Sequence, residues 1–327
     1  MAVVRVATFN IENFDETKPG ARPSLAERIR LMRPQIVRLR ADIVCFQEVN
    51  GQERDGQPRS VLALEQLLQG TNLQGADLVS TRTQEGEVFD ERNLVVAVAT
   101  PLQVAGHDQI RNQLVQQPLY RRLTGIPPDT TAQPVDIERP ILHVRVHTGH
   151  GLLHLINVHL KSKIPTDIPG QKVDGFTWRT ADSWAEGVFI SSMKRMSQAL
   201  EVRRLVDQLL TQDPDARIIV AGDFNAEPDE VPVLAIRGDV ENTGNGDLAA
   251  RVLVPIEHTI PEPARYTLFH QGRGEMLDHM LVSRNLLAHY RGSEIHNELL
   301  HDESAAFAVD QKFPESDHAP VVATFEF

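Results

Sequence analysis

Six short polar clusters in this sequence each adjoin an apolar run. They are Thr8-Phe9-Asn10-Ile11-Glu12, Phe46-Gln47-Glu48, Asn157-Val158-His159-Leu160-Lys161, Gly222-Asp223-Phe224-Asn225, Leu277-Asp278-His279-Met280 and Ser316-Asp317-His318-Ala319-Pro320. One polar residue at a strand end is ordinary. Six clusters dominated by Asn, Asp, Glu and His ask for a chemical reason. Carboxylates and amide oxygens, with water, are what a hard cation such as magnesium takes as ligands. Zinc would favour clustered His and Cys, and the thirteen histidines carry no ligand spacing that makes such a case. A carboxylate-bound cation can neutralise a phosphoryl oxygen and position water or a leaving oxygen. A histidine beside a buried carboxylate can hold a proton near neutral pH. The residue types therefore point to metal-assisted hydrolysis of a phosphate ester, centred on Glu48, Asp223, Asn225, Asp278, Asp317 and His318.

Such residues act together only if the fold gathers them. Val3 to Asn10 and Ala41 to Val49 are β-branched, apolar runs and read as buried strands. Between them, Ser24-Leu25-Ala26-Glu27 has the form of a capping box, continued at helical spacing through Leu39, with Pro34 predicted to kink or split the helix. A short helix spans Ser60 to Gln69 and a further strand Asn93 to Ala99. Residues 100–138 have no steady period and read as an inserted loop, with one strand near Gln109 to Val115. Pro140 to Thr148 and Leu152 to Leu160 read as a hairpin around Gly149-His150-Gly151. After a second loop over 162–178 come a long helix, Ala181 to Gln212, and a strand, Arg217 to Phe224. Glu227-Pro228-Asp229 is predicted to open another helix, and Met276 to Ser283 and Pro320 to Phe327 are the last strong strands. The mixture suggests an α/β fold of two packed sheets covered by helices. No repeat or linker divides the chain, so residues 1–327 read as a single domain with insertions near 100–138 and 162–178.

The bulk numbers set limits. With 327 residues and 41% apolar content, the chain can bury a large core without disulfides. A formal charge of -12 argues against an indiscriminate polyanion binder, although a local basic patch or a bound cation can override it. The lone cysteine, Cys45, lies in an apolar run and reads as core. No apolar run reaches the roughly 18–20 residues of a membrane span, and the start of the sequence does not look like a signal peptide, so the expected location is cytoplasmic.

The six clusters, in this order and over nearly the whole chain, resemble the endonuclease/exonuclease/phosphatase superfamily. Gly222-Asp223-Phe224-Asn225 alone would be weak; with Gln47-Glu48-Val49 before it and Ser316-Asp317-His318 after it the pattern is specific. The resemblance implies a four-layer α/β sandwich of two mixed sheets with helices outside. It also implies a divalent cation, Mg2+ with Mn2+ or Ca2+ as alternatives. Glu48 would be the principal ligand, with Asn10 and Asp317 close to the ion or its waters and Glu12 as a second acidic contact. Asp223 would orient and deprotonate the attacking water, and Asn225 would hold that water or a phosphoryl oxygen. His318, oriented by Asp278, would stabilise phosphoryl charge. His159 and Arg139 would meet the phosphate. The implied substrate is first nucleic acid, then a small-molecule or lipid head-group phosphoester, with a non-catalytic binding module as the reading from another class. No obligate protein partner is evident.

Other residues take plainer readings. His279, adjacent to Asp278 on a strand, should face the opposite way and serve packing or the surface rather than catalysis. His143, His147, His150 and His154 flank the hairpin and read as structural, with metal binding as the lesser alternative. Trp178 and Trp184 could stack on a base or simply pack, and packing is the preferred reading. Arg195, Arg203 and Arg204 form the solvated face of the long helix. On the nucleic-acid reading, Lys161, Lys163, Arg179, Lys194 and Arg195 line a phosphate-contacting rim. Ser316-Asp317-His318 is not a hydrolase triad, because triad members come from separate segments and no Gly-x-Ser-x-Gly elbow is present.

Overall fold

The computed structural model describes residues 2–17, 20, 22–305 and 312–327. In chain order come β1 (Val3–Phe14), α1 (Leu25–Leu39), β2 (Ile43–Val49), a small hairpin of β3 (Gln52–Arg54) and β4 (Gln57–Ser60), α2 (Leu62–Leu68), β5 (Asp77–Ser80) and β6 (Asn93–Val98). There follow β7 (Gln103–Ile110), the two-residue strands β8 (Leu119–Tyr120) and β9 (Gln133–Pro134), β10 (Ile141–His147), β11 (Leu152–His159), α3 (Ala181–Gln212) and β12 (Arg217–Asp223). The rest comprises α4 (Val231–Arg237), α5 (Val240–Thr243), β13 (Leu253–Pro255), a hairpin of β14 (Leu268–His270) and β15 (Arg273–Glu275), β16 (Asp278–Ser283), α6 (Arg284–Leu287), β17 (Tyr290–Ile295) and β18 (Val321–Glu326).

Two six-stranded sheets carry the fold, ordered β17-β18-β1-β2-β6-β5 and β13-β16-β12-β11-β10-β7. Each is mixed: β1 runs parallel to β2, β11 runs parallel to β12, and the remaining neighbours are antiparallel. Strand alternation explains the layers. Val4, Val6, Ile43, Cys45, Val96 and Val98 of the first sheet meet Leu153, Leu155, Ile219, Ala221, Met280 and Val282 of the second in one core. The opposite faces pack under helices: Ala7, Phe9 and Phe46 against Met32, Ile36 and Leu64, and Ile156, Val158 and Val220 against Val202, Val206 and Ile236. This is the expected α/β sandwich, with buried Cys45 in its core.

Several local expectations need correction. Helix α1 runs through Pro34 without being split. Pro34 and Arg30 are both exposed, so the carbonyl that loses its partner faces water, while Met32, Ile36 and Leu39 stay buried. The strand expected near Gln109 to Val115 lies at Gln103–Ile110. It is an edge strand with a mostly uncovered face, and its Gln, His and Asp residues give little periodicity. Glu227 to Glu230 forms a turn, and α4 begins at Val231. The short edge strands β5, β13 and β17 carried too little pattern to be expected.

The long helix matches its expected bounds, but its arginines do not all face water. Arg195 donates to the carbonyls of Lys161 and Ser162, each at 2.9 Å. Arg203 binds Asp207 and the carbonyls of Ile236 and Arg251, and only Arg204 is exposed. Trp178 does pack, with Lys172 over its ring and Ile168 and Ile190 nearby, whereas Trp184 is half exposed. Among the described residues, no helix is long and apolar enough to cross a membrane.

Candidate metal centre and hydrolytic site

Alternation that buries Val4 and Val6 between the sheets also turns Asn10 inward. In the same way Leu153 and Leu155 lead to His159, Ile219 and Ala221 lead to Asp223, and Asp278 precedes Met280 and Val282. The polar residues thus end the inward rows of β1, β11 and β12 and begin that of antiparallel β16. A layer of polar residues lies below them. Gln47 donates to Asn157 Oδ1 at 2.7 Å, and Asn157 donates back to the carbonyl of Phe46 at 3.0 Å. These buried amides satisfy one another and lock the relative position of the sheets.

Glu48 departs from alternation. Val44 and Phe46 face the helices, so Glu48 ought to follow them, but it adopts φ 59° and the β2–β6 register slips between Phe46 and Val49. Its carboxylate then accepts from Asn10 Nδ2 at 3.4 Å and from the Asn13 N–H at 3.0 Å. Glu12 and Asn13 are also left-handed, at φ 49° and 43°. Such conformations are costly and persist where the surroundings fix them.

Asp223 is the hub. Its Oδ2 accepts from Asn10 Nδ2 at 3.0 Å and from Asn225 Nδ2 at 3.1 Å, and lies 3.2 Å from His159 Nε2; Oδ1 accepts from the Asn225 N–H at 2.8 Å. Burial alone would raise this carboxyl, but His159, His318 and that N–H outweigh it and hold Asp223 below the usual range. Burial would likewise raise Glu48, and His159, Arg139 and His318 hold it low. Burial and Arg139 lower His159 below its ordinary value, outweighing the nearby carboxylates. Asn225, at φ 48°, also donates to the carbonyl of Leu160 at 3.1 Å, and Arg139 Nη1 donates to the same oxygen at 2.9 Å.

Across the site, His318 Nδ1 lies 2.7 Å from Asp278 Oδ2. Burial raises Asp278; His318, despite its own burial, is lifted well above 6.5 by Asp278 and Asp317. Asp317 lies 4.0 Å from His318 Nε2, and its Oδ1 is buried without a hydrogen-bond partner. Burial, with Glu48 nearby, pushes Asp317 to about 6, and burial with Asp317 pushes Glu12 to about 8. Two mutually repelling carboxyls with an orphaned oxygen are what a cation would relieve, and hard oxygen donors suit magnesium. Ligand atoms of Glu48, His159 and Asp223, and separately of Asp223, Asp278 and His318, fall within 4.8 Å of one another.

Sequence reasoning passed over the parts that hold this arrangement. Buried Arg28 of α1 donates to the carbonyls of Ile11, Glu12 and Pro314. Its signal was a charge in line with Met32, Ile36 and Leu39 on the buried stripe. Ser316 Oγ donates to the Asn10 carbonyl at 2.7 Å, and Thr267 Oγ1 accepts the Leu277 and Asp278 N–H groups. Thr267 had no signal in the sequence.

The expected rim is largely engaged elsewhere. Lys163 pairs with Glu230, Lys194 with Glu138, and Arg179 donates to the carbonyl of Gly170. Burial and neighbouring Arg139 lower Lys161 to about 8. His279 is fully buried, bonded to Glu257 at 2.7 Å and to the carbonyl of Ala226 at 2.8 Å, on the face opposite Asp278.

Two facing mixed sheets with acidic and imidazole groups at their strand ends define a phosphoesterase class. The chain belongs to the endonuclease/exonuclease/phosphatase family, whose model matches residues 7–318. Solved structures of similar fold include truncated TDP2 of Caenorhabditis elegans, at 18% identity and TM-score 0.58, covering 99% of this chain and 98% of that one. A Bacteroides vulgatus endonuclease/exonuclease/phosphatase aligns at 17% identity and TM-score 0.59, covering all of both chains. D. rerio TDP2 complexed with a single-strand DNA product aligns at 15% identity and TM-score 0.56, again over the full length of both. No curated protein matches this chain.

Proposed function

We propose that residues 1–327 act as one catalytic unit that hydrolyses phosphodiester bonds with a divalent cation, and that its substrate is nucleic acid. The observation that carries this reading is the convergence of Glu48, His159, Asp223, Asp278 and His318 from five chain segments. Glu48, Asn10, Asp317 and Glu12 would hold Mg2+, with Mn2+ or Ca2+ as alternatives. When bound, the ion would neutralise phosphoryl charge.

The chain's own groups do the rest. Ionised Asp223 accepts the proton of the attacking water, and Asn225, fixed by Asp223 and Leu160, sets the approach. Protonated His318, braced by Asp278, donates toward the phosphoryl oxygen as its charge grows. His159 and Arg139 contact the phosphate from the β11 side. Nucleic acid as substrate is supported by the DNA product bound to D. rerio TDP2. A small phosphoester is the second reading, favoured by the charge of -12 and by rim cations already engaged.

The test is parallel hydrolysis of plasmid DNA, an RNA oligomer and a small phosphoester panel with magnesium or manganese. Wild type and His318→Ala are compared with and without chelator. Cleavage of nucleic acid that chelator and the variant both abolish supports the first reading. Turnover confined to small phosphoesters replaces it with the second.

A further inference from the structure

Beside His159 the chain gathers four cations at the ends of β10 and β11, Arg139, Lys161, Lys194 and Arg195. Only Lys194 contacts a carboxylate, Glu138, while Glu48 and Asp223 act on Arg139, and Glu230 on Arg195, from beyond ion-pair distance. The other three meet only neutral acceptors. Arg139 donates to the Leu160 carbonyl, Lys161 Nζ to Ser162 Oγ at 3.0 Å and the Ile164 carbonyl at 3.2 Å, and Arg195 to the carbonyls of Lys161 and Ser162. Among the described residues, none of the three lies within ion-pair distance of a carboxylate.

The group is built into the framework. Gln198 of α3 accepts the Lys161 N–H at 2.8 Å and donates to the carbonyl of Arg139 at 3.1 Å, fixing both backbones beside the site. Tethering the 162–164 loop would need only neutral donors. Partly buried cations that no carboxylate contacts are costly unless an anion joins them, and in a chain of charge -12 such a cluster is selective in place.

We propose that Lys161 and Arg195, continuous with Arg139, form a second anion subsite that takes the phosphate next to the scissile one. This rests on the hydrolytic reading above and deepens it: the substrate carries at least two phosphates. The shared chemistry fits a nucleic-acid backbone or a small polyphosphorylated molecule.

Binding of a labelled tetrathymidylate to the full chain in chelator, followed by fluorescence anisotropy, tests this. Unlabelled tetrathymidylate and inositol hexakisphosphate serve as competitors. Lys161→Gln keeps a neutral donor for the loop and is expected to weaken binding about tenfold, with a salt dependence shallower by about one ion; Lys161→Arg is expected to restore both. The competitor that displaces the probe at lower concentration identifies the source of the second phosphate. Absence of saturable binding by wild type, or equal binding by Lys161→Gln, overturns the subsite. Separately, bis(p-nitrophenyl) phosphate turnover with magnesium is expected to survive Lys161→Gln and to be lost in His318→Ala. Loss in Lys161→Gln as well would overturn the subsite, and survival in His318→Ala would overturn the hydrolytic reading alone.

Discussion

A carboxylate buried to 0% exposure against an imidazole has one effective partner, and Asp278 spends it on His318. Asp278→Asn keeps the shape and removes the charge that lifts His318. Turnover is expected to fall a hundredfold or more, roughly the worth of a preorganised donor, while circular dichroism and melting temperature stay near wild type. An unchanged rate would remove His318 from the phosphoryl side of the site. At this scale the sequence was informative about types, because Asn10, Asp223, Asp278 and His318 interrupt apolar runs where nothing structural asks for them. It was uninformative about supports. Thr267 and Ser316 act through one hydroxyl each, and Glu48 reaches the site only through a left-handed backbone that no pattern of side chains encodes.

Elements decide whether those residues stay together. Gly222, on β12, has φ 147°, and a Cβ there would sit 1.9 Å from the Val158 carbonyl of parallel β11. Gly222→Ala is therefore expected to destabilise by about 4 kcal/mol or more, near the top of the range for single substitutions, and denaturant titration reads it. A loss below 1 kcal/mol would mean that the two strands separate easily. The β10–β11 hairpin carries a second consequence. His143 stacks on His154, and burial, with His154 and Arg145 nearby, lowers its pKa from 6.5 to about 4. The unfolded chain takes up this proton near pH 6.5 and the folded chain only near 4. Stability is thus unaffected above 6.5 and falls as pH drops between those values, by up to about 3 kcal/mol. His143→Phe is expected to flatten that part of the stability profile; an unaltered profile would show that the imidazole is solvated. Long elements with strong periodicity, such as α3 and the hairpin, were legible. Edge strands such as β7 and β17 were not, because a half-exposed strand of mixed polarity loses its period.

At the scale of the whole molecule, two sheets that each hold one parallel pair bring strand ends from distant parts of the chain to one rim. The four-layer architecture was legible because the clusters recur in family order across nearly the full length. The substrate was not, since in the proposed subsite it would depend on charges on residues 138–139, 161 and 194–195, whose partners emerge only in the folded chain. The central claim is that oxygen ligands led by Glu48 hold a divalent cation that hydrolysis requires. The most direct measurement is phosphodiester turnover as a function of magnesium concentration for wild type and Glu48→Gln. A saturable dependence that moves at least tenfold higher in magnesium, or vanishes, in Glu48→Gln is expected. Turnover that persists in chelator, or an identical magnesium dependence in the two proteins, would contradict it.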